Sequence, residues 1–339
     1  MFPYQHLVEA NRLIIIQSRE HAQSFDYNKA IDSIRQSLLF SAHVKQDKNG
    51  YLISWAIGLA MQADILSWIY ELVSRYELSS EQYANLIALL NDIEYSPEEF
   101  SNVLMGEYRF GMSVIKEPFV STIQQRFKNH LMISQLRKKY KISVSVKEMI
   151  FSPVNLLFPA YFFHINGVSN RYADSMLMMQ EKTSEFCSGI KFQNIPERVS
   201  YDVYDQSFFE LLKPNSMGKQ SIEAPEAYWS YFQRRCFFHV YADAVKTVVA
   251  LKAYEKQHGG GLPKNLDMLV PDYLDRLPID YFDGKPLRYS IENDWLYSVG
   301  ADYKDNGGSL DGFYQGKCDK EKPCFNNPTI PLTAPSAAQ

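Results

Sequence analysis

Leu287-Arg288-Tyr289-Ser290-Ile291, Glu292-Asn293-Asp294 and Trp295-Leu296-Tyr297-Ser298-Val299 follow one another, and Gly300-Ala301-Asp302-Tyr303-Lys304-Asp305-Asn306-Gly307-Gly308-Ser309-Leu310-Asp311-Gly312 comes next. The first stretch alternates apolar with polar residues, which in an extended chain sends successive side chains to opposite faces, and the third is the returning strand. The polar trio between them is a turn, so the three stretches together predict a β-hairpin. The aspartates and glycines that follow predict a tight acidic loop.

Upstream, Tyr228 to His258 carries Ala242, Val245, Val249 and Ala253 on one helical face, and Gly259-Gly260-Gly261 stops the helix. Because these glycines follow a helix and do not open one, they are a cap and not a phosphate cradle. Leu266, Leu269, Val270, Tyr273, Leu274 and Leu277 are then expected to tuck a compact segment against that helix. Beyond Asn326 the Pro-, Thr- and Ala-rich tail is expected to be disordered.

The order of these pieces is distinctive. A long helix and glycine stop lead into Val270-Pro271-Asp272-Tyr273-Leu274, Leu277-Pro278-Ile279-Asp280, Asp283-Gly284-Lys285-Pro286-Leu287-Arg288-Tyr289 and Tyr297-Ser298-Val299-Gly300-Ala301-Asp302. From about residue 240 to 312 the chain resembles the C-terminal half of the major pseudopilin of type II secretion systems. It also resembles the end of certain large bacterial envelope proteins that carry this module behind a helical body. In pseudopilins the last loop holds a calcium ion, so the resemblance implies Ca²⁺ on Asp302, Asp305, Asn306 and Asp311. A loop rich in carboxylates and glycine-freed carbonyls suits the six to eight oxygens that Ca²⁺ takes, although the spacing is not that of an EF-hand. The hydrophobic pilin helix that builds a filament is not present; residues 1–225 stand in its place.

Those residues read as a helical body. Asp26 caps a helix with Ile31, Ile34, Leu38 and Ala42 on one face, and Asp47-Lys48-Asn49-Gly50 is a turn. Tyr51 to Val73 is a long apolar helix; Gln62, Asp64 and Glu71 interrupt it, which favours a buried helix over a membrane span. Ser79 to Gln82 is a capping box, and Ser96-Pro97-Glu98-Glu99 starts another helix. A further helix is expected from Lys116 past Pro118 to Lys141, with the basic run 137–141 as its solvated last turn. Ile142 to Val146 is expected as a short strand, Arg171 to Phe186 as a helix with Met176, Met178 and Met179 as core filler, and 194–223 as a connector.

The expected fold is therefore mainly α: a helical body over 1–225, a small α+β pseudopilin-like module over 226–315, and a tail over 316–339. With 339 residues, 46% hydrophobic and 22% charged, the chain can bury a core. Its net charge of -4 gives no bulk attraction for nucleic acid. Met1 to Gln17 holds only the short apolar run Leu13 to Ile16, so no secretory signal is read there, and an N-terminal anchor trimmed away fits the same reading. Cys318 and Cys324 lie in a polar loop in no zinc pattern, which points to a small disulfide and an oxidising compartment; two free thiols in the cytoplasm are the alternative.

Catalytic signatures are scarce. Neither a nucleophile elbow, a zincin motif nor a P-loop occurs. Cys236, His239 and Asp243 share a helix face, but Phe237, Phe238 and Val240 around them favour a packed histidine and an inert thiol. His164 beside Phe162 and Phe163 reads as packing, and Glu107 as a surface charge. The expectation is a non-catalytic structural or interaction protein of the bacterial envelope, extracytoplasmic, with a protein partner and a calcium-stabilised loop. Two alternatives stand beside it: a hydrolase or metal enzyme with its site in the helical body, and a secreted bacterial factor that binds a host partner.

Overall fold

The computed structural model describes residues 3–46, 52–93, 97–120, 172–174, 176–177, 179–181, 229–300, 302–308 and 329–332. They are mostly helical, with one small three-stranded antiparallel sheet. The helices are α1 (Pro3–Gln23), α2 (Tyr27–Lys45), α3 (Leu52–Arg75), α4 (Ser80–Asn91), α5 (Pro97–Val120) and α6 (Trp229–Gln257). A 3₁₀ turn at Leu266–Leu269 follows, then β1 (Arg288–Ser290), β2 (Trp295–Tyr297) and β3 (Thr329–Pro331). The chain divides into two compact units. One contains 1–103, 183–195 and 230–339, the other 104–182 and 196–229.

In the first unit α1, α2 and α3 pack on one another. The expected caps are present: Asp26 accepts from Lys29 N–H, and Ser79 and Gln82 form a reciprocal capping box. α1 itself was not foreseen, because its apolar positions are sparse and Leu13 and Ile16 stay exposed. Its packing is instead partly polar. Asn11 accepts from the Ser37 hydroxyl at 2.6 Å, and the Ser18 hydroxyl donates to the Ala30 carbonyl and accepts from Trp68 Nε1–H at 2.8 Å. Serines at 33, 37 and 41 keep the α2 surface small enough for close approach.

α3 is the centre of this unit. Trp55, Leu59, Met61, Ile65, Leu66, Ile69 and Leu72 are all buried. Each large apolar side chain taken from water contributes roughly 1.5–3 kcal/mol. Among the described residues α3 is the only helix long and apolar enough to cross a membrane, yet 61% of its most apolar window is buried inside the fold. Its tightest contact is at Gly58, where a Cβ would stand 2.7 Å from Lys45 Cβ and 2.8 Å from both Lys45 N and Ser41 O. Two of those three atoms are backbone, so relief requires moving a helix. Gly58→Ala should therefore destabilise by about 1–2 kcal/mol, overpacking outweighing the roughly 1 kcal/mol gained in helix propensity. A urea midpoint equal to or above wild type would contradict this.

α5 runs unbroken from Pro97 to Val120, through Pro118, where a fresh helix start was expected at Lys116. In the second unit Tyr108 and Tyr172 stack with centroids 6.0 Å apart, and Met176 and Met179 are buried as core filler.

In the C-terminal part Ala242, Val245, Val249 and Ala253 are buried along α6 as expected. Gly259 at φ +67° and the Gly260 N–H donating to the Glu255 carbonyl end the helix. The predicted hairpin is present, Tyr289 pairing with Leu296. The tail reading is corrected. Thr329–Pro331 is not disordered but forms β3, pairing with β2 so that β2 is the central strand. Thr329, Ile330 and Leu332 are buried, and the Leu332 N–H donates to the Asp294 carbonyl. The Pro-, Thr- and Ala-rich composition beyond Asn326 reads as disorder, but proline is compatible with an edge strand.

Candidate functional site

The residues that join α6 to the sheet contain the densest polar arrangement among the described residues. Its centre is Asp280, which is fully buried. Oδ1 accepts from the Ser298 hydroxyl at 2.8 Å and the Phe282 N–H at 3.0 Å. Oδ2 accepts from the Val299 N–H at 2.9 Å and Arg288 Nη1–H at 2.6 Å. Burial pushes the Asp280 carboxyl above the usual carboxylate range, against the pull of the Val299, Ser298 and Phe282 donors. The Phe282, Val299 and Arg288 N–H groups can only donate, so three of the four partners require an acceptor oxygen on Asp280.

Asp280 thereby joins three pieces that lie apart in sequence. These are the turn 280–285, in which Gly284 adopts φ +73°, the strand β1 through Arg288, and the end of β2 through Ser298 and Val299. Arg288 forks onto Asp283 as well and approaches Asp305 Oδ2 with Nε at 3.7 Å. Burial pushes the Asp283 carboxyl up, but the Arg288 fork and the Lys285 N–H outweigh it and hold the group below its usual range.

The acidic loop is attached to this centre. Asp305 Oδ1 accepts from the Tyr297 hydroxyl and from Gly307 N–H, each at 3.1 Å, and Asp302 Oδ1 accepts from Lys304 N–H at 3.1 Å. Gly308, at φ +80°, lies against β2 and β3: a Cβ there would meet Tyr297 at 3.0 Å, Trp295 Nε1 at 3.1 Å and Thr329 Oγ1 at 3.2 Å. Of the residues expected to bind calcium, Asp302, Asp305 and Asn306 are on this loop, and Asp311 lies outside the described residues. Among the described residues no group of three or more His, Cys, Asp or Glu side chains is arranged to hold a metal ion. Asp305 is turned toward Tyr297 and the Arg288 guanidinium.

The trio on α6 is drawn into packing. Asp243 is half-buried; its Oδ2 accepts from Ile279 N–H at 3.3 Å, which fixes the segment leading to Asp280. Burial raises its carboxyl above the usual range, with Arg276 pulling it back. His239 lies edge-on to Phe238 and 5.7 Å from the Tyr281 ring. Cys236 is fully buried. The other three cysteines, Cys187, Cys318 and Cys324, lie outside the described residues, as do His164, the basic run 137–141 and the strand expected at Ile142–Val146.

His239 carries a pH consequence. Burial first, then the charges of Arg235 and Lys45, hold it well below the model-peptide value of 6.5. The folded chain keeps the ring neutral while the unfolded chain takes up a proton near that pH. Stability is therefore intact above about 6.5 and falls as the pH drops below it, by up to about 1.4 kcal/mol per unit. In His239→Phe this acid limb should flatten. Thermal melts between about pH 5 and 6.5 check the sign, and a wild-type midpoint independent of pH across that window would contradict it.

A second polar centre lies among α2, α3 and α5. Glu99 accepts from Trp55 Nε1–H at 2.6 Å and pairs with Lys45 Nζ at 3.2 Å, and Lys45 also reaches Gln62 at 3.4 Å. Periodicity could not find it: Trp55 reads as core and Glu99 as an acid in the first turn of its helix, and no local pattern pairs them. No protein-family model, curated protein or solved structure matches this chain.

Proposed function

We propose that this chain is a non-catalytic structural or interaction protein of the bacterial envelope, with the helical body as its partner-binding part and the C-terminal module as a rigid mount. The observation that carries this reading is the use made of Asp280 and Asp243. Asp280 is buried and Asp243 half-buried, acids of the kind that active sites exploit, and both have backbone N–H groups as partners, holding one segment to another. The residue order from Val270 to Asp302, like that of the pseudopilin C-terminal region, favours an envelope role. An envelope role goes with an oxidising compartment, and we extend the same reading to a Cys318–Cys324 disulfide.

Calcium belongs to this proposal as an addition to Arg288 and not a replacement for it. Asp302, Asp305, Asn306 and Asp311 supply oxygens, and with Asp280 and Asp283 nearby the region carries more carboxylates than its one guanidinium balances. Melting the full chain in Ca²⁺ and in a chelator tests this part. A midpoint that rises with Ca²⁺ concentration supports it, since a ligand of the native state stabilises by mass action; identical curves remove it. The wider reading is tested by crosslinking in intact host cells followed by fractionation. A discrete protein partner in the envelope fraction is expected. Recovery in the cytoplasm, or turnover of a hydrolase substrate by the pure chain, would overturn it.

A further inference from the structure

An open cleft of about 480 Å³ lies in the first unit where the ends of α3 and α6 meet the start of α4. This is within the usual range of ligand-sized hollows. Its walls carry three cations, Arg75, Lys252 and Lys256, against two carboxylates, Glu77 and Glu255. That local excess of positive charge occurs in a chain whose net charge is -4.

Two of the three cations, Arg75 and Lys256, are exposed and held loosely. Lys256 pairs with Glu77 across the mouth, with side chains 41% and 77% exposed, and such exposed pairs are weak. Lys252 meets Glu255 within a single turn of α6. Arg75 shares Glu71 with Arg19. An incoming carboxylate can therefore replace Glu77 at little cost, one acceptor substituting for another. Ser74, on the same wall, has a buried hydroxyl with no hydrogen-bond partner. The negative ends of α3 and α6 both oppose an anion, though only in part, because Tyr76 N–H already occupies the Leu72 carbonyl and Gly260 N–H the Glu255 carbonyl.

Aromatic rings lead out of the cleft. Tyr76 lines it, the Tyr27 ring is 5.8 Å from Tyr76, and the Phe25 ring is 6.3 Å from Tyr27. Phe25 is 76% exposed at φ +60°, just past the end of α1, where glycine is the default residue. A phenyl ring there adds strain to the backbone and buries little, so local folding does not account for it.

We propose that the cleft and this aromatic ridge dock a peptide segment of a partner protein in which an aromatic side chain is flanked by carboxylates. Arg75, Lys252 and Lys256 take the acids, and Phe25, Tyr27 and Tyr76 take the ring. The proposal rests on the interaction reading above and names its surface.

Fluorescence anisotropy of the full chain with the labelled peptide EEFEE tests it, with KKFKK and EEAEE as controls. Saturable binding of EEFEE alone is expected. Lys252→Gln with Lys256→Gln should weaken it about tenfold, and Glu77→Gln, which frees Lys256, should tighten it about threefold. Phe25→Gly should weaken binding while raising the melting temperature, which separates recognition from folding. Absence of saturable binding, equal binding of KKFKK, or indifference to the lysine changes would overturn it. If EEFEE is silent while crosslinking captures a partner in cells, the interaction reading stands and only this surface is lost.

Discussion

Asp280→Asn is expected to cost the chain about 3–5 kcal/mol, although it changes only one side-chain oxygen to nitrogen. One face of the amide can still accept from Ser298 and Phe282. The other must present N–H to Val299 N–H and Arg288 Nη1–H, both of which need an acceptor. Turning the amide over moves the conflict to Phe282 N–H, since the Ser298 hydroxyl can accept from the amide. With the carboxylate gone, Asp283 and Asp305 still hold Arg288, but the buried backbone donors do not recover a partner. The loss should concentrate in the C-terminal module. Hydrogen exchange should show Phe282 and Val299 amides exchanging early while α3 stays protected, and urea unfolding should show the lowered midpoint. A cost below about 1 kcal/mol would mean that Asp280 is not what holds the module together.

Glu99→Ala is expected to be the next most damaging, at about 2–3 kcal/mol. The figure lies below that for a fully buried pair because the Glu99 side chain is 24% exposed and that of Lys45 10%. Removing the carboxylate strands a nearly buried ammonium and leaves the Trp55 indole N–H without its 2.6 Å acceptor. Two comparisons isolate the cause. Trp55→Phe should lose only about 1 kcal/mol, one neutral donor's share, and Lys45→Met combined with Glu99→Leu should recover most of the loss. A double variant as unstable as Glu99→Ala would show that the charge pairing is not the origin.

These two acids illustrate what could be read beforehand. Asp280 stood out in the sequence only as part of an ordered string from Val270 to Asp302, and its depth was not legible. Asp, Asn and Gly near a turn look alike whether the carboxylate faces water or four donors. Glu99 was legible as an acid in the first turn of a helix. Its pairing with Lys45 and Trp55 spans 54 and 44 residues, and no local pattern encodes contacts of that range. α1 was missed for a related reason: its seam is made partly of Asn11 and Ser18, whose burial depends on partners in α2 and α3.

By itself the sequence determined the local elements. Asp26 and Ser79 set helix starts through their own side chains, Gly259 and Gly260 set a stop, and alternation about Glu292-Asn293-Asp294 set the hairpin. Such features depend on neighbours within a few residues, where propensity and hydrogen-bond reach suffice. Only the tertiary structure decided that Thr329–Pro331 completes the sheet, that Gly58 is the contact point of two helices, and that Asp280 with Arg288 joins turn, strands and loop. Those outcomes depend on which distant surfaces exclude water together, and burial turns an ordinary polar residue into one whose every hydrogen bond must be met.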